Sequence, residues 1–427
     1  MSDPSKSGLR RRLRRIAVDL APLRESRDFR LLWGGQMVSM LGSSVALVCL
    51  PFQVYRLTGS PMAVGLLGAT ELVPLVVASI VGGAVADAHE RRKLLLLILG
   101  LQAGSAGVLA WHSAGDEQLW VLYVMSAVQA GLWGMAIPAR RSWTPRLFPP
   151  ERLAAAVALE STSMTATHLL GPAVGGVALA TLGIATTYAV DAASFLVVFA
   201  AVLAMRPSPP SEHAQRVGLE SIREGLRFLR GRPVLQGGFW IDFNAMVFCL
   251  PKALFPAMAV ALGGGPRTLG LLYAAPWLGA FLSATTSGWV TRVRRQGLGI
   301  SISVVGWGLA MAAFGLAHSL IVAIIALAAA GFADEVSAIL RTAIVQEVTP
   351  DHLRGRLSGI EIAIYAGGPT LGDMESGVVA GLTSVRFSII SGGLACLAGA
   401  AVVAALLPAF NRYDRSKKIV DTAQPAS

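Results

Sequence analysis

The sequence predicts an all-α integral membrane protein of twelve membrane-spanning helices, arranged as two pseudo-symmetric six-helix bundles. Three observations carry this. The chain is 54% apolar and only 14% charged, with a mean hydropathy of +0.60, whereas soluble domains are roughly a quarter charged. Runs apolar on every side recur along nearly its whole length, as in LLLLILGLQAGSAGVLAW (94–111) and LIVAIIALAAAGFA (320–333). Helices without a polar face, repeated this often, have lipid as their solvent. Finally, the second half of the chain repeats the first.

A bilayer core of ~30 Å asks for about 20 apolar residues per span. Twelve segments meet that length, beginning near residues 31, 62, 94, 118, 155, 184, 234, 267, 297, 319, 356 and 386. None alternates with the period of two that a barrel strand requires. The expected division is a basic tail (1–30), a first bundle (31–206), a linker (207–233), a second bundle (234–410) and a second tail (411–427). Within the first tail, Leu9, Leu13, Ile16 and Leu20 fall at helical spacing among arginines. This suits a helix lying on an anionic leaflet, or a solvated basic tail. Asp19 and Pro22 interrupt the apolar core that a cleaved signal would need. In the linker, Leu219, Ile222, Leu226 and Leu229 form an apolar stripe opposite Arg223, Arg227 and Arg230. That pattern predicts an amphipathic helix lying on the cytoplasmic face.

The formal charge of +11 reports topology. All lysines and arginines except Arg56, Lys252, Arg267 and Arg386 fall in the tails and the even-to-odd loops. The positive-inside rule then puts both termini in the cytoplasm. Three cysteines and six histidines show no ligand spacing, so neither a metal nor a cofactor is expected.

The repeat shows first in VCLPFQVY (48–55) and FCLPKALF (248–255), which share Cys-Leu-Pro at an offset of 200. Arg141 and Arg341 keep that offset. At 201, Glu160 maps to Glu361, Gly171 to Gly372 and Gly176 to Gly377; at 205, GLL (65–67) maps to GLL (270–272) and Gly83 to Gly288. A duplicated six-helix unit places the substrate path between its two copies, near the bilayer midplane. Lys252, where the first copy has Phe52, falls ~27 Å along segment 7 at 1.5 Å per residue. A lysine there is expected to snorkel to the outer interface, with a substrate-binding cation as the alternative.

Two motifs resemble the major facilitator superfamily. GGAVADAHERRK (82–93) matches its loop 2–3 pattern at Gly83, Asp87, Arg91 and Arg92, with Ala88 and Glu90 departing from it. The resemblance implies a cytoplasmic gate built from these residues. THLLGPAVGGVAL (167–179) is similar to the antiporter motif of segment 5 at Gly171, Pro172, Gly175 and Gly176. Proline bends such a helix and small residues let a neighbour approach. Further strings, among them RDFRLLWGGQMVSMLGSS (27–44) and LFPPERLAAAVALES (147–161), resemble the enterobactin-exporter and macrolide-efflux branch. That branch often carries an acid after Leu-Gly in segment 1, where this chain has Ser43. The major facilitator fold and export by antiport are what the resemblance implies.

A carboxylate in hydrocarbon costs ~2.5–3.5 kcal/mol on insertion scales, so each needs a reason. Glu71 lies ~14 Å into segment 2 and Asp242 ~12 Å into segment 7 by the helical rise. Either can carry a proton or hold an interhelical hydrogen bond. Asp242 is the first candidate for proton coupling and Glu71 the second. Glu160 and Glu361, with Arg141 and Arg341, are candidates for structural ion pairs.

The expected function is secondary active export of a small organic molecule, a siderophore, macrolide or other drug, by proton antiport and alternating access. The expected partners are that molecule, protons and the bilayer, with one chain sufficient. No nucleotide-binding motif supports an ATP-driven pump, and no nucleophile–base constellation supports an enzyme. An uptake permease and a non-transporting sensor or scaffold are the rival readings.

Overall fold

The computed structural model describes residues 20–414 apart from 89, 142, 144–146 and 207–218, and every regular element among them is helical. The first-tail stripe, from Leu9 to Ile16, lies outside the described residues.

After a short helix α1 (Ala21–Glu25), six long helices follow: α2 (Arg27–Thr58), α3 (Pro61–Ala88), α4 (Arg91–His112), α5 (Leu119–Arg141), α6 (Pro150–Leu182) and α7 (Ile184–Leu203). The linker contributes α8 (Leu219–Leu229). The seventh segment is broken into α9 (Pro233–Phe248), a 3-10 turn (Lys252–Leu254) and α10 (Phe255–Ala261). Next come α11 (Pro266–Thr286), α12 (Gln296–Leu316), α13 (Leu320–Val348), α14 (Asp351–Leu382), α15 (Val385–Leu406) and the short α16 (Pro408–Arg412). Eleven of these segments, the broken seventh counted once, are long and apolar enough to cross a membrane on their described residues. The expected twelfth span is α14, whose 32 residues give ample length.

Local chemistry sets the helix ends. Ser26, Ser319 and Ser384 accept the N–H of Phe29, Val322 and Phe387, capping α2, α13 and α15. Prolines open α6, α9 and α11 within the first turn, where a missing N–H costs nothing. Gly59 and Gly183, at φ +62° and +79°, turn the chain from α2 to α3 and from α6 to α7.

The first six segments pack as α3 on α5, α4 on α7 and α2 on both α6 and α7; the last six pack as α11 and α12 on α13, and α12 on α15. Two main pairings join the halves, α3 with α14 and α6 with α11, with smaller contacts of α2 on α10 and α11 and of α3 on the 3-10 turn. The linker helix rests on α14 and α9, with Leu229 buried and Leu226 half exposed. The side chains of Leu219, Ile222 and Arg223 lie outside the described residues.

Candidate functional site: a cavity beneath a double glycine seal

The two main contacts between halves are the same contact twice. A Cβ placed on Gly377 would stand 2.8 Å from the Gly65 Cα and 3.0 Å from the Pro61 carbonyl. One placed on Gly176 would stand 2.8 Å from the Gly270 Cα and 2.6 Å from the Pro266 carbonyl. Gly65 and Gly270 are repeat mates, and so are Gly176 and Gly377. The duplication therefore built one glycine crossing and used it symmetrically. Both crossings lie toward the end of the bundle opposite the chain termini, the distal end. Along α3 and α14 the seal continues through Met62 against Gly381, Gly68 against the Thr370 carbonyl, and Leu72 against Gly367. Four backbones at this distance leave no room for side chains, which is why small residues sit there.

The antiporter-like motif is part of this arrangement. Gly171 and Gly175 receive Ser44 and Val45 of α2, holding α6 against its own half. Gly176, with the Pro172 carbonyl, meets Gly270 across the boundary. His168, one turn before Pro172, stacks on Trp277 of α11 with ring centroids 4.3 Å apart. Nothing in the histidine spacing pointed to that second bridge between halves.

Near the seal lies a cavity of about 400 Å³, lined from α2, α3, α4, α5, α7, α11, α14 and the broken seventh segment. Its walls are mostly apolar, with Trp133, Phe195 and Tyr273 among them. Glu71, Asp191, Lys252 and Asp373 face it, as do Gln102 and Gln129. Such a site, apolar with a few convergent polar groups, is what ligand cavities look like. Glu71 accepts a hydrogen bond from Ser126 of α5. Asp191 of α7 accepts one from Ser43 at 3.3 Å. The carboxylate beside Ser43 of segment 1 therefore arrives from α7.

The break in the seventh segment explains Lys252. Leu250–Pro251–Lys252 form an inverse γ-turn, with Pro251 at φ −77°, ψ 63° and the Lys252 N–H donating to the Leu250 carbonyl at 2.8 Å. Its first-half mate Pro51 sits inside the continuous α2. Backbone groups freed in an apolar interior need partners. Trp307 donates to the Cys249 carbonyl at 3.1 Å, Tyr273 to the Lys252 carbonyl at 3.2 Å, and the Ala253 N–H donates to Asp373 at 2.7 Å. Helices α12, α11 and α14 thus stabilise the break together. Lys252 consequently lines the cavity, and the expected snorkelling to the outer interface is corrected. A straight-helix count of depth fails once the helix turns.

Asp242 is buried and paired with Arg341 at 2.8 Å, outside the cavity lining. Arg341 was expected beside Glu361. Glu361 feels the same guanidinium but makes no direct ion pair among the described residues. Glu160 is half-buried, and the side chain of Arg141 lies outside the described residues. So do the side chain of Asp87 and the surroundings of Gly83 in the loop 2–3 motif. Arg91 is buried, and Arg92 donates to the Val202 and Leu203 carbonyls at the end of α7. Arg92 thereby satisfies the C-terminus of a helix in its own half.

The family model for transmembrane secretion effectors of the major facilitator type matches residues 17–423. The chain belongs to this family. Among its relatives are the enterobactin exporters EntS of Citrobacter koseri and of Escherichia coli O81, each 29% identical over 377 residues, covering 88% of this chain and 91% of the relative. Among solved structures, a variant of the nucleoside transporter NupG aligns with a TM-score of 0.73 at 11% identity, over 89% of this chain and 100% of its own. A bacterial homologue of the lysosomal transporter Spinster aligns at 0.67 and 15%, over 91% and 97%. The protein is a multi-pass membrane transporter of the major facilitator type and not an enzyme.

Proposed function

We propose that this transporter exports a small organic molecule, a siderophore, macrolide or other drug, across the cytoplasmic membrane by proton antiport and alternating access. The reading includes a single working chain divided at the 207–233 linker, with both termini in the cytoplasm. The observation that carries it is the cavity near a symmetric glycine seal, with a membrane-embedded carboxylate, Glu71, facing into it. A seal made only of helix crossings can part by rocking one half against the other, which is the motion alternating access needs. The relatives' names favour export. Glu71 moves ahead of Asp242 as the coupling carboxylate, because Asp242 is committed to Arg341 and Glu71 faces the compartment that substrate would enter.

The test is efflux of a dye and siderophore panel from cells expressing wild type, Glu71→Gln or Asp242→Asn, with and without an uncoupler. Uncoupler-sensitive efflux that Glu71→Gln abolishes and Asp242→Asn retains is the expected result. Accumulation in place of efflux would sink the export reading, and efflux indifferent to the uncoupler would sink proton coupling.

A further inference from the structure

The charges around the cavity are divided between the halves. Glu71 and Asp191 belong to the first half, Lys252 and Asp373 to the second, and of the first-half pair it is Glu71 that rides on the α3–α14 crossing. Asp373 is a junction: its carboxylate holds the Ala253 N–H of the broken segment, while its carbonyl packs where a Cβ on Gly65 would come within 2.6 Å. The same α3–α14 crossing that closes the distal end therefore positions the Lys252 turn. Glu71 lies on α3, three residues beyond Gly68, whose added Cβ would lie 3.2 Å from the Asp373 Cβ. Lys252 makes no direct ion pair among the described residues. Lys252 lines the same cavity as Glu71 and Asp373, and the N–H of the next residue, Ala253, is the one that Asp373 holds.

We infer that Lys252 is a positioning residue for transport, an electrostatic tether from the second half to Glu71 of the first that favours the distally closed state. The inference rests on the transport reading above and adds to it what holds and what releases the seal. In a site of low effective dielectric, opposite charges attract strongly even beyond hydrogen-bond distance. Parting α3 from α14 carries Glu71 away from Lys252 and loses that attraction. A proton on Glu71 cancels it without movement. Asp373 cannot substitute as the anchor, since it belongs to the same half as Lys252 and travels with it. The broken turn is what brings the ammonium into the cavity: in a continuous helix, as at Pro51, this position would follow the helical screw.

The tether is read by cross-linking the distal end in purified protein in lipid nanodiscs, without substrate or gradient. A Cβ on Gly381 lies 3.1 Å from the Met62 Cβ, near the ~3.5–4.5 Å a disulfide needs. Met62→Cys with Gly381→Cys should therefore join only when the end is closed. The native cysteines are all buried and do not compete. Expected are at least fivefold slower cross-linking in Lys252→Met and in Glu71→Gln, no further slowing in the double variant, and near wild-type behaviour in Lys252→Arg. The failure of Lys252→Met to slow cross-linking would overturn the tether, and so would losses that add in the double variant. If Glu71→Gln alone is silent, Lys252 acts within its own half and the inference falls. Because this readout needs no flux, absence of efflux for every compound would count against the transport reading alone.

Discussion

Gly65→Ala tests the seal most directly. The added Cβ would lie 2.6 Å from the Asp373 carbonyl oxygen and 2.9 Å from the Gly377 Cα, where ordinary contact begins near 3.4 Å. Both obstacles are backbone, so no side chain can swing away, and α3 and α14 must separate by about 0.8 Å. A gap of ~0.5–1 Å already forfeits a quarter to a half of the contact attraction, and overpacking of this kind costs ~1–3 kcal/mol. At ~1.4 kcal/mol per tenfold, the distally closed state should lose about 5- to 150-fold against the open one. Each half keeps its own packing, so the variant still folds. Spin labels at Leu66 and Leu382, both exposed near the distal ends of α3 and α14, would report the separation. Gly270→Ala, the symmetry mate, should produce the same shift, since its Cβ meets the Pro172 carbonyl at 2.5 Å and the Gly176 Cα at 2.8 Å. A label-distance distribution in Gly65→Ala identical to wild type would refute the claim that this crossing is the seal.

Three further outcomes follow from the same geometry. Arg341→Met should lower stability by ~3–5 kcal/mol, because it strands the buried Asp242 carboxylate, whereas Arg341→Met with Asp242→Leu should recover most of it; thermal unfolding in detergent distinguishes them. Asp373→Ala removes the acceptor of the Ala253 N–H and should cost ~0.5–2 kcal/mol, the range for losing a helix cap. Its signature is faster amide exchange confined to residues 252–256. Trp277→Ala removes the stack on His168, worth ~0.5–1.5 kcal/mol between aromatic rings, and should speed distal opening without altering the unfolding of either half alone.

Much of this was legible in the sequence because spans and repeats are written in local patterns. Apolar length gives the helices, and the drift of the offset from 200 to 205 pairs Gly65 with Gly270 and Gly176 with Gly377 before any contact is known. What the offsets cannot tell is that each glycine meets the mate of the other. That is a fact of how the copies dock, set by two-fold packing and not by anything local. The same limit explains the reordering of the carboxylates. Asp242 and Glu71 sit at similar depth and look alike in sequence, yet Arg341, almost a hundred residues from Asp242, claims one and leaves the other facing the cavity.

Lys252 marks a different limit. Cys-Leu-Pro occurs in both halves, and proline alone does not decide between a continuous helix at Pro51 and a break at Pro251. The partners for the freed backbone decide it. In the second half Trp307, Tyr273 and Asp373 receive the Cys249 carbonyl, the Lys252 carbonyl and the Ala253 N–H. Without three such partners the break would leave polar backbone unsatisfied in the membrane interior, at several kcal/mol per group. The two copies thus differ in the hydrogen-bond partners that distant helices supply, and the second carries an ammonium into the cavity where the repeat-related position of the first half is Phe52. Sequence depth along a span predicts the environment of a side chain only while the helix stays straight; where a repeat changes Phe to Lys next to a shared proline, the straight-helix assumption is the one to test first.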